Sequence, residues 1–581
     1  MEKDNYREEL IQAYKSKSLW KKITQIYLDE IRSDPKNLPT ILAEIHNEKL
    51  FDLNELYKHL DIENNERDLF ILFNVYSLAL PMMSCSIEDI LITTEKLSKE
   101  KKSPIDIHDG IYNFCRHDFL HAQQGLYYIK ENPENLISYI SSVISSANSH
   151  DPTWCLSQTK QLISSSDHSI RSQAYWTIGR LQLTNECDII LAKSLLNSSS
   201  ENEGNNIANI NLFRALINFG KNHSQSWPDI KNSISHILDK NDDDIITIAA
   251  QQCHWEFQKI PKDILHLFLY AVKNSSLKSG ALDSIDLAFI DLIKNNEHDF
   301  AITLLEDILE KNDNLKITKF DSFVHYLIKE NNNIFCRLIT KWLLSGNNRL
   351  CRSVLDLFNN IHDEILESHV DKESCAGLSE NIKLYLARKI IGWLITRPID
   401  VFTLISSIYL TSSNQLKNKL EDLLFDPLLI NYPSDLGEYL EIRKEKEGDN
   451  SLISLIHNLE IRMKNYVSGF DQAYSIKELK TPDTNRHLYW KMSDRVMQKA
   501  KENGPKSIFE DMFNTIHLLY GNSSIYYMHS SPDEKPHRAE APMHTFSYSS
   551  EMPNMDIIDP FNFNYRLLRF RIERIEDEIN N

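Results

Sequence analysis

Scarcity of glycine limits what this chain can fold into more than any other feature of its sequence. It has 14 glycines in 581 residues, about 2.4%, where roughly 7% is usual. Tight β-turns draw on glycine for positive φ angles. An all-β protein or a doubly wound α/β enzyme is therefore not expected. The two glycines nearest in sequence are Gly437 and Gly448. A P-loop needs two glycines five apart, and a Rossmann turn needs them two and three apart. Neither motif can be built, and a Gly-x-Ser-x-Gly nucleophile elbow fails in the same way. No nucleotide is expected through these motifs, and no cofactor is expected.

Helix is what remains, and the apolar spacing supports it. Leu19, Ile23, Ile26, Tyr27 and Ile31 recur at the 3–4 intervals that bury one helical stripe. Another stripe follows Glu131 through Leu136, Ile137, Ile140, Val143 and Ile144, and more occupy 264–272, 302–309, 354–361 and 382–395. Short breaks rich in Asn, Asp and Ser separate them, as helix caps require. The expected fold is all-α, built of stacked antiparallel helical hairpins, with helix above about 60% of residues against the usual third.

The segment from Leu162 to Leu181 is sharper than the rest. Asp167 sits in a turn, where it is expected to cap the next helix. Ile170, Ala174, Ile178 and Leu181 then follow at 4-4-3 spacing, with Arg171 beside them and Gly179 near the helix end. Small Ala174 and Gly179 suit close helix packing. This segment, residues 150–185, resembles a HEAT repeat. Weaker echoes run to about residue 400, at 210–220, at Asp243, Asp244, Ile245, Ala249 and Ala250, and at 347–358 with Arg352. The resemblance implies an α-solenoid or superhelix of HEAT or armadillo type with a period near 40–47 residues. It also implies that Asp167 and Arg171 join a polar ladder between repeats.

Composition places the boundaries. Residues 1–104 read as an N-terminal helical region, 105–445 as HEAT-like repeats and 446–506 as a helical continuation. The stretch 197–206, NSSSENEGNN, reads as a long polar turn within the array. Residues 507–581 read as a small mixed C-terminal module. Its aromatic stretches 525–529 and 543–548 are candidate strands. Tyr565–Ile579 is a candidate helix with Leu568, Ile572, Ile575 and Ile579 on one face and Arg566, Arg569, Arg571 and Arg574 on the others. These arginines read as salt-bridged to nearby carboxylates rather than as a phosphate site.

Chemistry is sparse. His117 and His121 are four apart, a spacing that puts two ligands on one helical face, in the wider cluster His108–His121. His117-Asp-Phe-Leu-His121 resembles the zincin HExxH with Asp in place of the general base, and no third ligand is apparent. His529, Asp533, His537, Glu540 and His544 form a second set among prolines. His117, His121, His529, His537 and His544 are the metal candidates, though the favoured reading assigns no metal and no catalytic residue. The eight cysteines are scattered singly, as in a reduced protein. The tryptophans, such as Trp176, Trp255 and Trp393, read as core residues.

A net charge of −19 repels nucleic acid and anionic membranes, and no apolar run reaches the length of a membrane span. The charged start MEKDNYREEL lacks a secretory signal's apolar core, so a cytoplasmic location is expected. The favoured function is a non-catalytic scaffold or adaptor that binds a protein partner on a solenoid surface, as an accessory subunit of a larger defence- or effector-type complex. The alternatives are a metal-dependent hydrolase or nuclease-type effector using the C-terminal His/Asp segment or His108–His121, and a nucleic-acid-binding helical-repeat protein.

Overall fold

A computed structural model describes residues 2–30, 37–60, 68–100, 107–275, 277–360, 368–473, short stretches within 487–495, 523–528, 537–542, 551 and 553–575. Helix follows helix through nearly all of them. One strand pair is present, Ser523–Met528 antiparallel to His537–Pro542, with Met528 opposite His537. The second strand thus precedes the aromatic stretch 543–548 expected to form it, which lies outside the described residues. No described helix is long and apolar enough to cross a membrane. The chain divides into two compact units, Met1–Leu304 and Leu305–Asn581.

In the first unit, helices pack on their sequence neighbours and on the next helix but one. Pro152–Ile163 lies on His168–Arg180, which lies on Asn206–Asn222. Glu186–Asn202 lies on Trp227–Leu238, and Asp243–Trp255 on Lys262–Lys273 and Ser279–Lys294. The pattern is consistent with a helical solenoid. The apolar stripes explain it. Leu19, Ile23, Ile26 and Tyr27 are buried, as are Ile264, Leu265, Phe268, Leu269 and Val272. Each such side chain contributes about 1.5–3 kcal/mol on leaving water.

The polar breaks supply the caps. Asp151 accepts from the N–H of Trp154, Asp167 from Ser169, Asn185 from Cys187, Asn205 from Ala208, and Asp242 from Asp244 and Ile245. The stretch 197–206 departs from the expected long turn, because helix Glu186–Asn202 runs through most of it. Its small polar side chains fold back onto their own helix: Ser198 donates to the Leu195 carbonyl, Ser200 to Asn197 and Asn202 to Ser198. Only Glu203–Asn205 is left as a link. Trp255 also departs from its expected core position, being 68% exposed.

Close helix approach depends on Gly179. A Cβ there would stand 2.8 Å from the Cα of Ala215. The neighbour is backbone, which has nowhere to rotate. Gly179→Leu is therefore expected to prise apart His168–Arg180 and Asn206–Asn222 and to cost about 1–3 kcal/mol. A lowered urea midpoint checks this; an unchanged midpoint would mean that the two helices tolerate a side chain between them.

In the second unit, helix Glu380–Leu394 is the centre. It packs against Asn332–Ser345, Asn348–Asn360, Pro398–Leu410, Asn414–Leu423 and the terminal helix Pro560–Ile572. Gly346, at φ 64°, ends Asn332–Ser345 in the left-handed conformation that glycine adopts at least cost.

Candidate functional site

The histidine cluster falls across two helices. His117 ends helix Ile107–His117 and is exposed. Asp118 is extended, at φ −141° and ψ 123°, and its carboxylate accepts the Leu120 N–H at 2.9 Å to start helix Phe119–Glu131. The single helical face expected to carry His117 and His121 is therefore not formed: the Asp placed like a general base is a helix cap. His121 stacks on Phe114 at 4.5 Å instead. His108 lies against Tyr139 with ring centres 4.5 Å apart and planes tilted by 33°, the Ser142 hydroxyl is 3.4 Å from its Nδ1, and burial lowers its pKa. Burial pushes the Cys115 thiol up to about 12, which keeps it protonated. Among the described residues no three His, Cys, Asp or Glu side chains converge. His529, Asp533 and His544 lie outside the described residues, while His537 and Glu540 fall on the second strand.

A polar site lies at the segment that resembles a HEAT repeat. A cavity of about 450 Å³ is lined by Ile163, Arg171, Tyr175, Ser199, Glu203 and Asn205. The buried Glu203 carboxylate accepts from Arg171 Nε and Nη2 at 2.8 Å, from the Tyr175 hydroxyl at 3.0 Å and from the Asn205 N–H at 3.0 Å. Arg171 Nη1 donates to the carbonyls of Ser165 and Ser166 at 3.0 Å. Lys240 reaches the Glu203 carbonyl at 2.9 Å. Burial alone would raise the Glu203 pKa, but hydrogen bonds from Arg171, Asn205 and Tyr175 with the Arg171 charge outweigh it and hold it at about 2. Sequence reading singled out Arg171 but not this partner, which sits in the polar stretch 197–206. Asp167 places its carboxylate on the Ser169 N–H. Of the other repeat positions, Ala174, Ile178, Gly179 and Leu181 are buried and Ile170 is half-buried.

Similar bridges join other helices of the first unit. Asn211 donates to Ser172, Lys193 pairs with Asp229, Lys231 with Asp263, His254 with Asp291 and His266 with Glu297. Their offsets run from 31 to 39 residues, below the expected 40–47.

The terminal helix is the third feature. Asp559 caps it by accepting the Asn562 N–H. It spans Pro560–Ile572 rather than Tyr565–Ile579 and turns the opposite face inward: Phe563, Leu567 and Phe570 are buried. Leu568 and Ile572, expected inside, are 52% and 59% exposed; Phe561 and Tyr565 beside them are 85% and 68% exposed. Ile575 is half-buried and Ile579 lies outside the described residues. The helix has two apolar stripes on opposite sides, and the seat beside Gly392 takes the aromatic one. A Cβ at Gly392 would stand 3.0 Å from the Phe570 Cβ.

Polar bonds fix that seat. The fully buried Lys389 donates to the Arg571 carbonyl at 2.5 Å, and Arg571 Nε donates to the Gly392 carbonyl at 2.5 Å. Arg388 pairs with Glu573 at 2.7 Å and Arg566 with Asp426 at 2.8 Å. Glu551 accepts the N–H groups of Ser434 and Asp435, and buried Asn431 accepts that of Met555. Arg566 and Arg571 thus find their hydrogen-bond partners on other elements.

No protein-family model, curated protein or solved structure matches the chain.

Two outcomes are expected. Glu203→Gln leaves Arg171 uncompensated and costs about 3 kcal/mol at neutral pH, the lower end for a broken buried pair because Arg171 keeps some water contact. A carboxylate held low stabilises the fold above its ordinary pKa of 4.5 and stops doing so as the pH falls toward about 2. Urea unfolding should therefore show the gap between wild type and Glu203→Gln closing from pH 5 down to about pH 2, and a constant gap would refute the assignment. Separately, Gly392→Leu should push out the terminal helix. At a cost of about 1–3 kcal/mol, tryptic cleavage after Arg566 and Arg569 should quicken by at least about tenfold.

Proposed function

We propose that this chain is a non-catalytic scaffold or adaptor that holds a protein partner on a surface of HEAT-like helical repeats. In this reading it works in the cytoplasm as an accessory subunit of a larger complex. The contrast between its polar and apolar groups carries the proposal. At the cavity-lining polar site, Arg171, Tyr175 and Glu203 satisfy one another. Those bonds hold the Glu203 carboxyl pKa at about 2, far from the value near the working pH that an acid–base catalyst needs. Large apolar side chains stand in water instead: Phe70, Tyr127, Ile190, Ile207 and Trp255 in the first unit, Phe561 and Tyr565 in the second.

A repeat reading is supported by the side-chain bridges at offsets of 31–39 residues. Stacked repeats touch only their neighbours and so expose a long surface suited to holding another macromolecule. The strand pair and terminal helix would form the mixed C-terminal module, a second point of contact.

Isolation of the tagged full chain from its native host, with cross-linking before lysis and mass spectrometry after, tests the reading. One stoichiometric protein partner is expected, cross-linked to lysines on helices between 152 and 273. Recovery of the chain alone would refute it. So would about one metal per chain together with hydrolytic or nuclease activity, both lost in His117→Ala or His537→Ala, which would establish the enzyme reading.

A further inference from the structure

We propose that the exposed stripe of the terminal helix docks an amphipathic helix of a partner protein whose flanks are acidic. The proposal rests on the scaffold reading and names the chemistry of one of its contacts. Ile558 ends the short helix before the cap Asp559, and Phe561, Tyr565, Leu568 and Ile572 then follow on the terminal helix at intervals of 4, 3 and 4. All five are exposed: 47%, 85%, 68%, 52% and 59%. That alternation is the a/d seam of a coiled coil, a stripe as narrow as one partner helix.

The helix is already held rigidly from behind. Phe563, Leu567 and Phe570 are buried on the opposite side, and Lys389, Arg388 and Asp426 bond its backbone or flanks. Four large apolar side chains within one helix of a docked segment are thus presented to water without being needed to hold the segment in place.

Charge selects the occupant. Pro560–Ile572, PFNFNYRLLRFRI, has three arginines and no carboxylate, in a chain of net charge −19. At the edges of the seam stand Asn562, Asn564, Arg569 and Arg571. Arg571 is turned back to the Gly392 carbonyl, while Arg569 is exposed. In coiled coils the edge positions choose the partner by charge. A second copy of this helix would bring another arginine and no acid, so self-pairing is opposed. An anionic membrane suits a wide apolar face, and this face is narrow and belongs to an acidic protein. A partner helix with Leu or Ile along its seam and Glu or Asp at its edges meets both requirements.

The test uses the full chain and two synthetic helical peptides of about three heptads. Both have Leu at the seam; one has Glu at every edge position and the other Lys. Fluorescence anisotropy should show the Glu peptide binding at least about tenfold more tightly than the Lys peptide. Leu568→Asp, at a solvent-exposed position, should abolish binding without changing the melting temperature. Arg569→Glu should reverse the preference toward the Lys peptide. No binding of the Glu peptide, or equal binding of both, would overturn the proposal. So would a concentration-dependent dimer, or capture by phosphatidylserine vesicles, that Leu568→Asp removes. If the cross-linked complex on helices 152–273 survives when the peptide fails to bind, the scaffold reading stands and only this inference falls.

Discussion

A helix with one apolar stripe cannot hide that stripe by itself, and the first unit is organised around that constraint. Each helix has to find a neighbour, and the neighbour's own stripe is then partly left for the next. How near two helices can come decides how much of each stripe is covered. At the His168–Arg180 and Asn206–Asn222 contact, Gly179 and Ala215 meet almost backbone to backbone. That approach brings the start of the second helix alongside the first. It is there that Glu203, in the link before Asn206, receives Arg171 and Tyr175. The buried ion pair lies at the other end of the same two helices, with Arg171 eight residues before Gly179 and Glu203 twelve before Ala215. By itself such a pair is weak evidence of stability, since desolvating two charges offsets their attraction. It does fix register, because the carboxylate has one position in which all its donors reach it.

Much of the helical plan was legible because caps and stripes are local signals. An Asp or Asn before an apolar run needs only the next three N–H groups to act, and Asp151, Asp167, Asn185 and Asp242 all do so. Leu19, Ile23, Ile26 and Tyr27 needed only helical spacing to share a face. Partner choice was not legible. Glu203 lies 32 residues after Arg171, and nothing in the stretch NSSSENEGNN separates a buried acid from a solvated one. Reading that stretch as a turn also failed for a local reason. Ser and Asn disfavour helix interiors because they compete for backbone groups, but Ser198, Ser200 and Asn202 bond carbonyls of their own helix. Asp118 carries the same ambiguity: its place in the zincin-like spacing does not tell a base from a cap, and its carboxylate is a cap.

The terminal helix shows the limit most clearly. Its sequence contains two stripes, Phe563, Leu567 and Phe570 on one side and Phe561, Tyr565, Leu568 and Ile572 on the other. Periodicity allows both and ranks neither, and the sequence reading took only the face with Leu568 and Ile572. The choice is made elsewhere in the chain, by Glu380–Leu394. Gly392 leaves room for the Phe570 backbone, and Lys389 waits beneath it with a buried ammonium that needs an acceptor. The Arg571 carbonyl supplies that acceptor only if Phe570 faces inward.

That dependence runs in both directions. Lys389 has no water around it, and burial lowers its pKa, so its charged form relies on what the protein offers. Removing the terminal helix would strip the ammonium of the Arg571 carbonyl and uncover the apolar seat around Gly392. The Phe563, Leu567 and Phe570 side chains that the seat buries would then lose their cover, at about 1.5–3 kcal/mol each. The terminal segment is therefore a structural part of the second unit rather than an appendage to it. A helix fixed so firmly on one side has little conformational freedom left to lose when something binds the other. Whatever meets the Phe561–Ile572 stripe finds its surface already ordered, and a preordered surface spends less of its contact energy on ordering.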